Sequence, residues 1–205
     1  YIFDSNGQFE YKKGNIQTDN YFTLAIHNIT ENRIYYFLIS SLSNGKANLD
    51  YYKYDPSIRS IEKVASKTKE ESAFLLFTSY TLEIESISCE IMKENKIICM
   101  YYYFNYANYF KLLKLTISNR YNKITLDNEE NEELKDFKVD GIKSAVNQNK
   151  TKTIFCLYIT SGEPKCIFYD FNSKKIYYDI SKVKYKTKPY SLKVNYFHDK
   201  EEFVF

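Results

Sequence analysis

Ile97-Ile98-Cys99-Met100-Tyr101-Tyr102-Tyr103 is apolar or aromatic at every position, without a charge and without a 3.6-residue stripe. A run this short, preceded by the polar Lys93-Glu94-Asn95-Lys96, reads as a β-strand and not as a helix. A strand wetted on one face alternates polar with apolar side chains, whereas one covered on both faces is apolar throughout. The run is therefore expected to lie between two other layers.

Two more runs share this character: Ile34-Tyr35-Tyr36-Phe37-Leu38-Ile39 and Ile154-Phe155-Cys156-Leu157-Tyr158-Ile159. They begin 63 positions before Ile97 and 57 after it, the scale of a supersecondary repeat. Before each comes a strand and a polar turn: Leu24 to His27 with Thr30 to Arg33, Ser86 to Ile91 with Lys93 to Lys96, and Ile142 to Val146 with Asn147 to Lys152. After each comes a loop, a third strand, a turn and a fourth strand, as in Leu49 to Tyr54, Asp55-Pro56-Ser57 and Ile58 to Val64. The unit is expected to be four antiparallel strands, over 20–64, 82–126 and 140–180. The segment 1–18 reads as strands three and four, and 190–205 as strands one and two.

Three units and two halves make a four-bladed ring if the halves share one sheet, which is how β-propellers hide their edges. The expected fold is thus all-β, a β-propeller with its last blade built from both termini. Tyr1 is not an initiator and Phe205 ends inside a strand, so part of a larger propeller is a second reading. A two-sheet β-sandwich is the third.

Tyr54-Asp55-Pro56-Ser57 and Tyr169-Asp170-Phe171-Asn172 resemble the Tyr-Asp-Pro turn between strands three and four of kelch-like propeller repeats. The resemblance covers one hairpin per repeat and lacks the paired glycines and Trp of kelch blades. It implies the ring architecture and no functional residue.

With 205 residues, 44% of them hydrophobic, only 5 Gly and 3 Pro, the chain has the composition of one globular domain. It contains no run of 18 apolar residues to insert in a membrane. A formal charge of +3 spread along the chain predicts no nucleic-acid partner, since phosphate neutralisation requires clustered Lys and Arg.

The four cysteines form two equally spaced pairs, Cys89 with Cys99 and Cys156 with Cys166. Each pair straddles a hairpin that places its members directly opposite, one around Lys93-Glu94-Asn95 and the other around Thr160-Ser161-Gly162, a separation that suits a disulfide. Cys99 and Cys156 are expected at the same place in strand two, one pairing back to strand one and the other forward to strand three. Buried thiols in a reducing cytosol are the alternative. Neither spacing suits zinc and no metal or cofactor is expected. Sequons at Asn28-Ile29-Thr30 and Asn149-Lys150-Thr151 fall in strand-one to strand-two turns, making Asn28 and Asn149 candidate glycosylation sites of a secreted or surface protein.

No catalytic residue is assigned. His27 and His198 read as turn histidines at equivalent repeat positions, and the scattered glycines form no phosphate-binding loop. Carboxylates gathered from several blades would leave a carbohydrate-active enzyme as a rival. Two surfaces are expected to bind a protein partner. One joins the blades, where acidic Asp127 to Glu133 faces Lys182, Lys184, Lys186 and Lys188, with Glu62 to Ser72 as a further connector. The other is the aromatic loop Tyr101 to Phe110, in which Tyr102, Phe104, Tyr106 and Tyr109 are the candidates. The functional expectation is a non-catalytic protein-binding module, with a cytosolic kelch-like adaptor as the first rival.

Overall fold

The computed structural model describes residues 2–3, 9–10, 22–29, 34–75, 78–105, 108–118, 120–132, 139–158, 165–173, 175–179, 194–197 and 202–204. Among them every regular element is a β-strand. The all-β expectation holds, as the abundance of Tyr, Phe, Ile and Thr in short runs requires.

Three four-stranded antiparallel meanders form the bulk of the fold. The first sheet joins β3 (Phe22–Ile29), β4 (Tyr35–Ser43), β5 (Lys46–Asp55) and β6 (Ser60–Lys69) in chain order. The second joins β9 (Ile84–Ile91), β10 (Lys96–Phe104), β11 (Asn108–Ile117) and β12 (Ile124–Glu132), and the third β13 (Gly141–Val146), β14 (Lys152–Tyr158), β15 (Lys165–Asp170) and β16 (Lys175–Asp179). Two-stranded hairpins stand at either end of the chain: β1 (Ile2–Phe3) with β2 (Phe9–Glu10), and β17 (Asn195–Phe197) with β18 (Glu202–Val204). Among the described residues no sheet closes on itself.

An additional hairpin, β7 (Glu71–Leu75) with β8 (Thr78–Leu82), links the first two sheets. The sequence reading placed an open connector over Glu62 to Ser72. Instead β6 runs to Lys69, because β5 offers a partner along its whole length, from Asp55↔Ser60 to Ala47↔Lys69. At the other end of β5, Asn44 and Gly45 both have positive φ, the demand of a two-residue turn whose twist matches its strands. Gly45 cannot carry a side chain: its carbonyl accepts Ile84 N–H at 2.7 Å, and a Cβ would stand 3.1 Å from the Glu83 Cα.

The sheets stack face to face. Leu38, Leu49, Tyr51 and Ala65 of the first pack against Ile87, Ile97, Cys99, Tyr101 and Leu113 of the second. The opposite face of the second sheet, with Ile98, Met100, Tyr102 and Leu112, meets Ile142, Phe155, Leu157 and Ile167 of the third. β10 thus lies between two layers, as its unbroken apolar run requires. The far face of the third sheet, with Ile154, Cys156 and Cys166, is covered by Val194 and Phe203, and the Phe168 and Phe203 rings meet edge-on at 5.8 Å. First strands succeed one another through the stack: β3 touches β9, β9 touches β13 and β13 touches β17.

This packing shifts the repeat register by one residue. Tyr36, Ile98 and Ile154 each face the next sheet, whereas Ile97 faces the previous one. The turn between β9 and β10 is closed by Met92 N–H on the Lys96 carbonyl, that between β13 and β14 by Asn147 N–H on the Lys152 carbonyl, one residue wider. A one-residue offset turns every side chain to the other face. Cys99 and Cys156 are therefore not equivalent: Cys99 faces the first sheet and Cys156 faces away from the second.

Both disulfides form as expected, Cys89–Cys99 within β9–β10 and Cys156–Cys166 within β14–β15. The Tyr-Asp turns have a local cause. Asp55 Oδ1 accepts Ser57 N–H at 3.0 Å and Ser57 O–H at 2.5 Å, and Asp170 Oδ1 accepts Asn172 N–H at 2.8 Å and Ser173 N–H at 3.1 Å.

Candidate functional site

Three sheets meet at the ends of their first strands, where an otherwise apolar stack becomes polar. β9 presents Ser86, Ser88 and Glu90 toward the third sheet. Ser86 Oγ accepts Ile142 N–H at 3.0 Å, Ser88 Oγ hydrogen-bonds Ser144 Oγ at 2.7 Å, and the Ser144 hydroxyl donates to Glu90 Oε1 at 2.8 Å. Lys150, in the turn between β13 and β14, leaves its own sheet: its Nζ donates to the Ile26 carbonyl at 3.1 Å and to the carbonyl of His27, both on β3. Its own carbonyl accepts Lys93 N–H at 3.0 Å, fastening the turns of the second and third sheets together.

His27 sits at a register shift between Ile26 and Asn28, where β3 bulges and aims the ring inward. The ring is buried and shares a hydrogen bond through Nδ1 with the Tyr51 hydroxyl, with the Tyr121 ring edge-on at 5.7 Å. Burial, reinforced by the Lys150 charge and opposed by a hydrogen bond with Asn95, lowers the imidazole to about 4. Burial raises the Glu90 carboxyl to about 7, against the Ser144 hydrogen bond and the Lys150 charge. Burial likewise lowers the Lys150 ammonium, opposed by Glu90. At neutral pH the imidazole is neutral and the carboxyl stands between its two forms. The expectation of a turn histidine at position 27 is corrected: the ring is a buried junction residue. His198 lies outside the described residues.

A second cluster lies toward the opposite ends of the strands. Glu71 on β7 and Glu129 on β12 are both bridged by Lys69, at 3.0 and 2.8 Å, and by Lys111, at 2.8 and 2.7 Å. The Tyr101 hydroxyl donates to Glu71 and, at 3.3 Å, to Glu129. Burial alone would raise the Glu129 carboxyl, but hydrogen bonds and charge from Lys111 and Lys69 outweigh it and hold it below the usual range. A carboxylate kept ionised in this way is an anchor and not a proton donor. Above the cluster the Tyr103 and Tyr109 rings stack at 5.4 Å, and Lys111 Nζ stands 5.4 Å from the Tyr103 centroid.

The aromatic candidates divide on this scaffold. Phe104 is 52% exposed at the end of β10, and Tyr109 is partly buried against Tyr103. Tyr102, expected to meet a partner, is 1% exposed, because β10 is covered on both faces and its even positions pack on the third sheet beside Phe110. Burial raises its hydroxyl to about 12. Tyr106 lies outside the described residues, as do Lys182, Lys184, Lys186 and Lys188.

The acidic run is not a loop. Asp127 to Glu132 belong to edge strand β12, where Asp127 pairs with Lys96 at 2.9 Å, Glu129 with Lys69 and Lys111, and Glu130 with Lys114. Lysines on β6, β10 and β11 thus pair with Asp127, Glu129 and Glu130 of this run, and Glu133 lies outside the described residues. Of the two sequons, Asn149 is exposed in its turn, whereas Asn28 lies inside β3 opposite Tyr36.

Among the described residues no three His, Cys, Asp or Glu side chains gather as a metal centre requires. The junction residues Glu90, Ser144 and Lys150 escaped the sequence reading. Glu90, a lone charge amid Ser86-Ile87-Ser88-Cys89 and Ile91, was the available signal. No protein-family model matches the chain, and no curated protein matches it.

Proposed function

We propose that this chain is a non-catalytic protein-binding module of a secreted or surface protein, built as a β-propeller whose four-stranded sheets are its blades. The ring reading is supported by the succession of first strands and by the two-stranded pieces at the chain's ends, each too small to be stable alone. The outward face of the first sheet, where Leu24 and Ile26 stand 56% and 66% exposed beside Phe37 and Ile39, is where such a ring would have to close. A closing sheet made of β1, β2, β17 and β18 would cover that face. The kelch-like Tyr-Asp turns imply the same architecture.

An oxidising exterior is supported by the two disulfides, and an N-glycan on Asn149 would project from its turn into solvent.

Phe104 carries the binding reading. A large ring held half in water beside a stacked tyrosine pair, on a strand fixed by a buried ion network, offers contact area with little entropy left to lose. The partner class is a folded protein with an apolar recess rimmed by polar groups. The test is saturable binding of the labelled chain to intact cells. Phe104→Ala is expected to weaken it tenfold or more, and Ile58→Ala, on a distant exposed turn, to leave it unchanged. Equal binding by both variants rejects this surface.

A further inference from the structure

Three departures from ordinary strand geometry converge on one imidazole. β3 bulges between Ile26 and Asn28, which turns His27 inward. Asn95, in the turn between β9 and β10, has a φ of 58°, and its side chain hydrogen-bonds the His27 ring. Tyr121, in the turn between β11 and β12, also has a φ of 58°, a costly conformation for a bulky residue. Its ring stands 5.7 Å from that of His27 and 4.6 Å from that of Tyr36. Backbone held in sparsely populated conformations is concentrated at switches and binding sites.

The hydrogen bonds fix the state of the ring. In a neutral imidazole one nitrogen donates and the other accepts. Donation to Asn95 leaves Nδ1 as the acceptor of the Tyr51 hydroxyl, which assigns the tautomer. Tyr51 is fully buried, so a hydroxyl that loses this acceptor has no solvent to turn to. The other groups at the junction come from every neighbouring element. β4 contributes Tyr36, the β11–β12 turn Tyr121, and the β13–β14 turn Lys150, whose Nζ rests on the Ile26 and His27 carbonyls. Glu90 of β9 is engaged by the Ser144 hydroxyl at 2.8 Å, and Glu94, beside Asn95, is exposed. Among the described residues no carboxylate hydrogen-bonds or pairs with His27.

We propose that His27 is an acid-released clasp at the junction of the three sheets. Neutral, the ring ties β3 to β5 through Tyr51 and to the β9–β10 turn through Asn95, while Lys150 ties the same residue's carbonyl to the third sheet. A proton taken from solvent at Nδ1 turns that acceptor into a donor and breaks the bond from Tyr51; the new N–H is the one covalent change. The imidazolium is then buried beside an ammonium without a carboxylate to offset it, and both costs are relieved when the end of β3 moves toward water. Acid thus loosens the first sheet from the turns of the second and third. The Lys111 network at the opposite strand ends persists, because its Glu129 carboxyl is held below the usual range.

The test is solution NMR of the full chain from pH 7.5 to 3.5, following the ring signals of its 2 His and the amides of Tyr51, Asn95, Tyr121 and Lys150. His198→Gln assigns the rings. The His27 ring and the four amides are expected to titrate together near 4, well below the ordinary 6.5. His27→Gln should remove the shared step, and Lys150→Met should raise its midpoint by removing a like charge. Because the unfolded chain takes up this proton first, the unfolding constant in urea should rise by up to tenfold per pH unit, relative to His27→Gln, as pH falls from 6.5 to 4. A His27 ring that titrates at its ordinary value, amides that stay flat, or a step that survives in His27→Gln overturns the clasp. Should His27→Gln fail to fold, the wild-type chain decides: a common midpoint for ring and amides supports the clasp, and separate midpoints overturn it.

Discussion

The Cα atoms of Cys89 and Cys99 stand 4.1 Å apart, directly opposed on β9 and β10, and those of Cys156 and Cys166 repeat the relation at 4.2 Å on β14 and β15. All four are buried. Each bond closes a hairpin of sequence separation 10, so the unfolded chain loses only a short loop's entropy. Reduction, or replacement of one pair by Ala, should cost about 2 to 3 kcal/mol per bond in urea unfolding. Protein denatured without reductant should show no free thiol. Four free thiols would instead favour a cytosolic adaptor.

Lys111 lies between two carboxylates, and its removal should be felt in both stability and acid response. Lys111→Met leaves Glu71 and Glu129 with Lys69 as their shared cation, costing about 2 to 3 kcal/mol, below the range for a fully orphaned charge. The sign with pH follows from the depressed Glu129 carboxyl. Its contribution is complete above the ordinary value of 4.5 and disappears as pH falls through its lower folded value. The stability gap between wild type and variant, from denaturant curves at pH 7 and pH 3, should therefore narrow in acid. A gap that is constant across that range would show that the network contributes packing and not charge.

Leu24 and Ile26 distinguish a closed ring from an open stack. If a closing sheet covers them, Leu24→Ser and Ile26→Ser should each destabilise the chain by about 1.5 to 3 kcal/mol, the cost of failing to bury an aliphatic side chain. If that face meets only water, each change should fall within about 0.5 kcal/mol of neutral. Thermal unfolding of the two variants is the measurement, and neutral results would retire the ring in favour of an open stack or a sandwich.

Strand content was legible because each deciding run carried its own environment. Ile97 to Tyr103 had no polar face to turn to water, and the structure covers it on both sides. The disulfides were legible because equal spacing about a polar turn places two residues opposite each other by geometry alone. The site was far less legible. Tyr102 and Phe104 are near neighbours of similar type, yet one fills the core and the other meets solvent, since exposure depends on where the third sheet ends. The carboxylates of β12 looked unpaired because their lysine partners lie up to 60 positions away on other strands. Glu90 and Ser144, 54 positions apart, gained their hydrogen bond only when β9 and β13 became neighbours.

Local rules therefore determined what depends on near neighbours in the chain: all-β structure, the antiparallel meanders, the Asp-capped turns and the cross-strand cysteine pairs. Tertiary packing decided which face each residue presents, and hence the one-residue shift between repeats, the burial of Tyr102, the neutralisation of the acidic strand and the polar junction at Glu90, Ser144 and Lys150. The division is physical. Pairing along a ladder is set by residues a few positions from a turn, whereas burial and charge compensation are set by whatever sheet folds down on top.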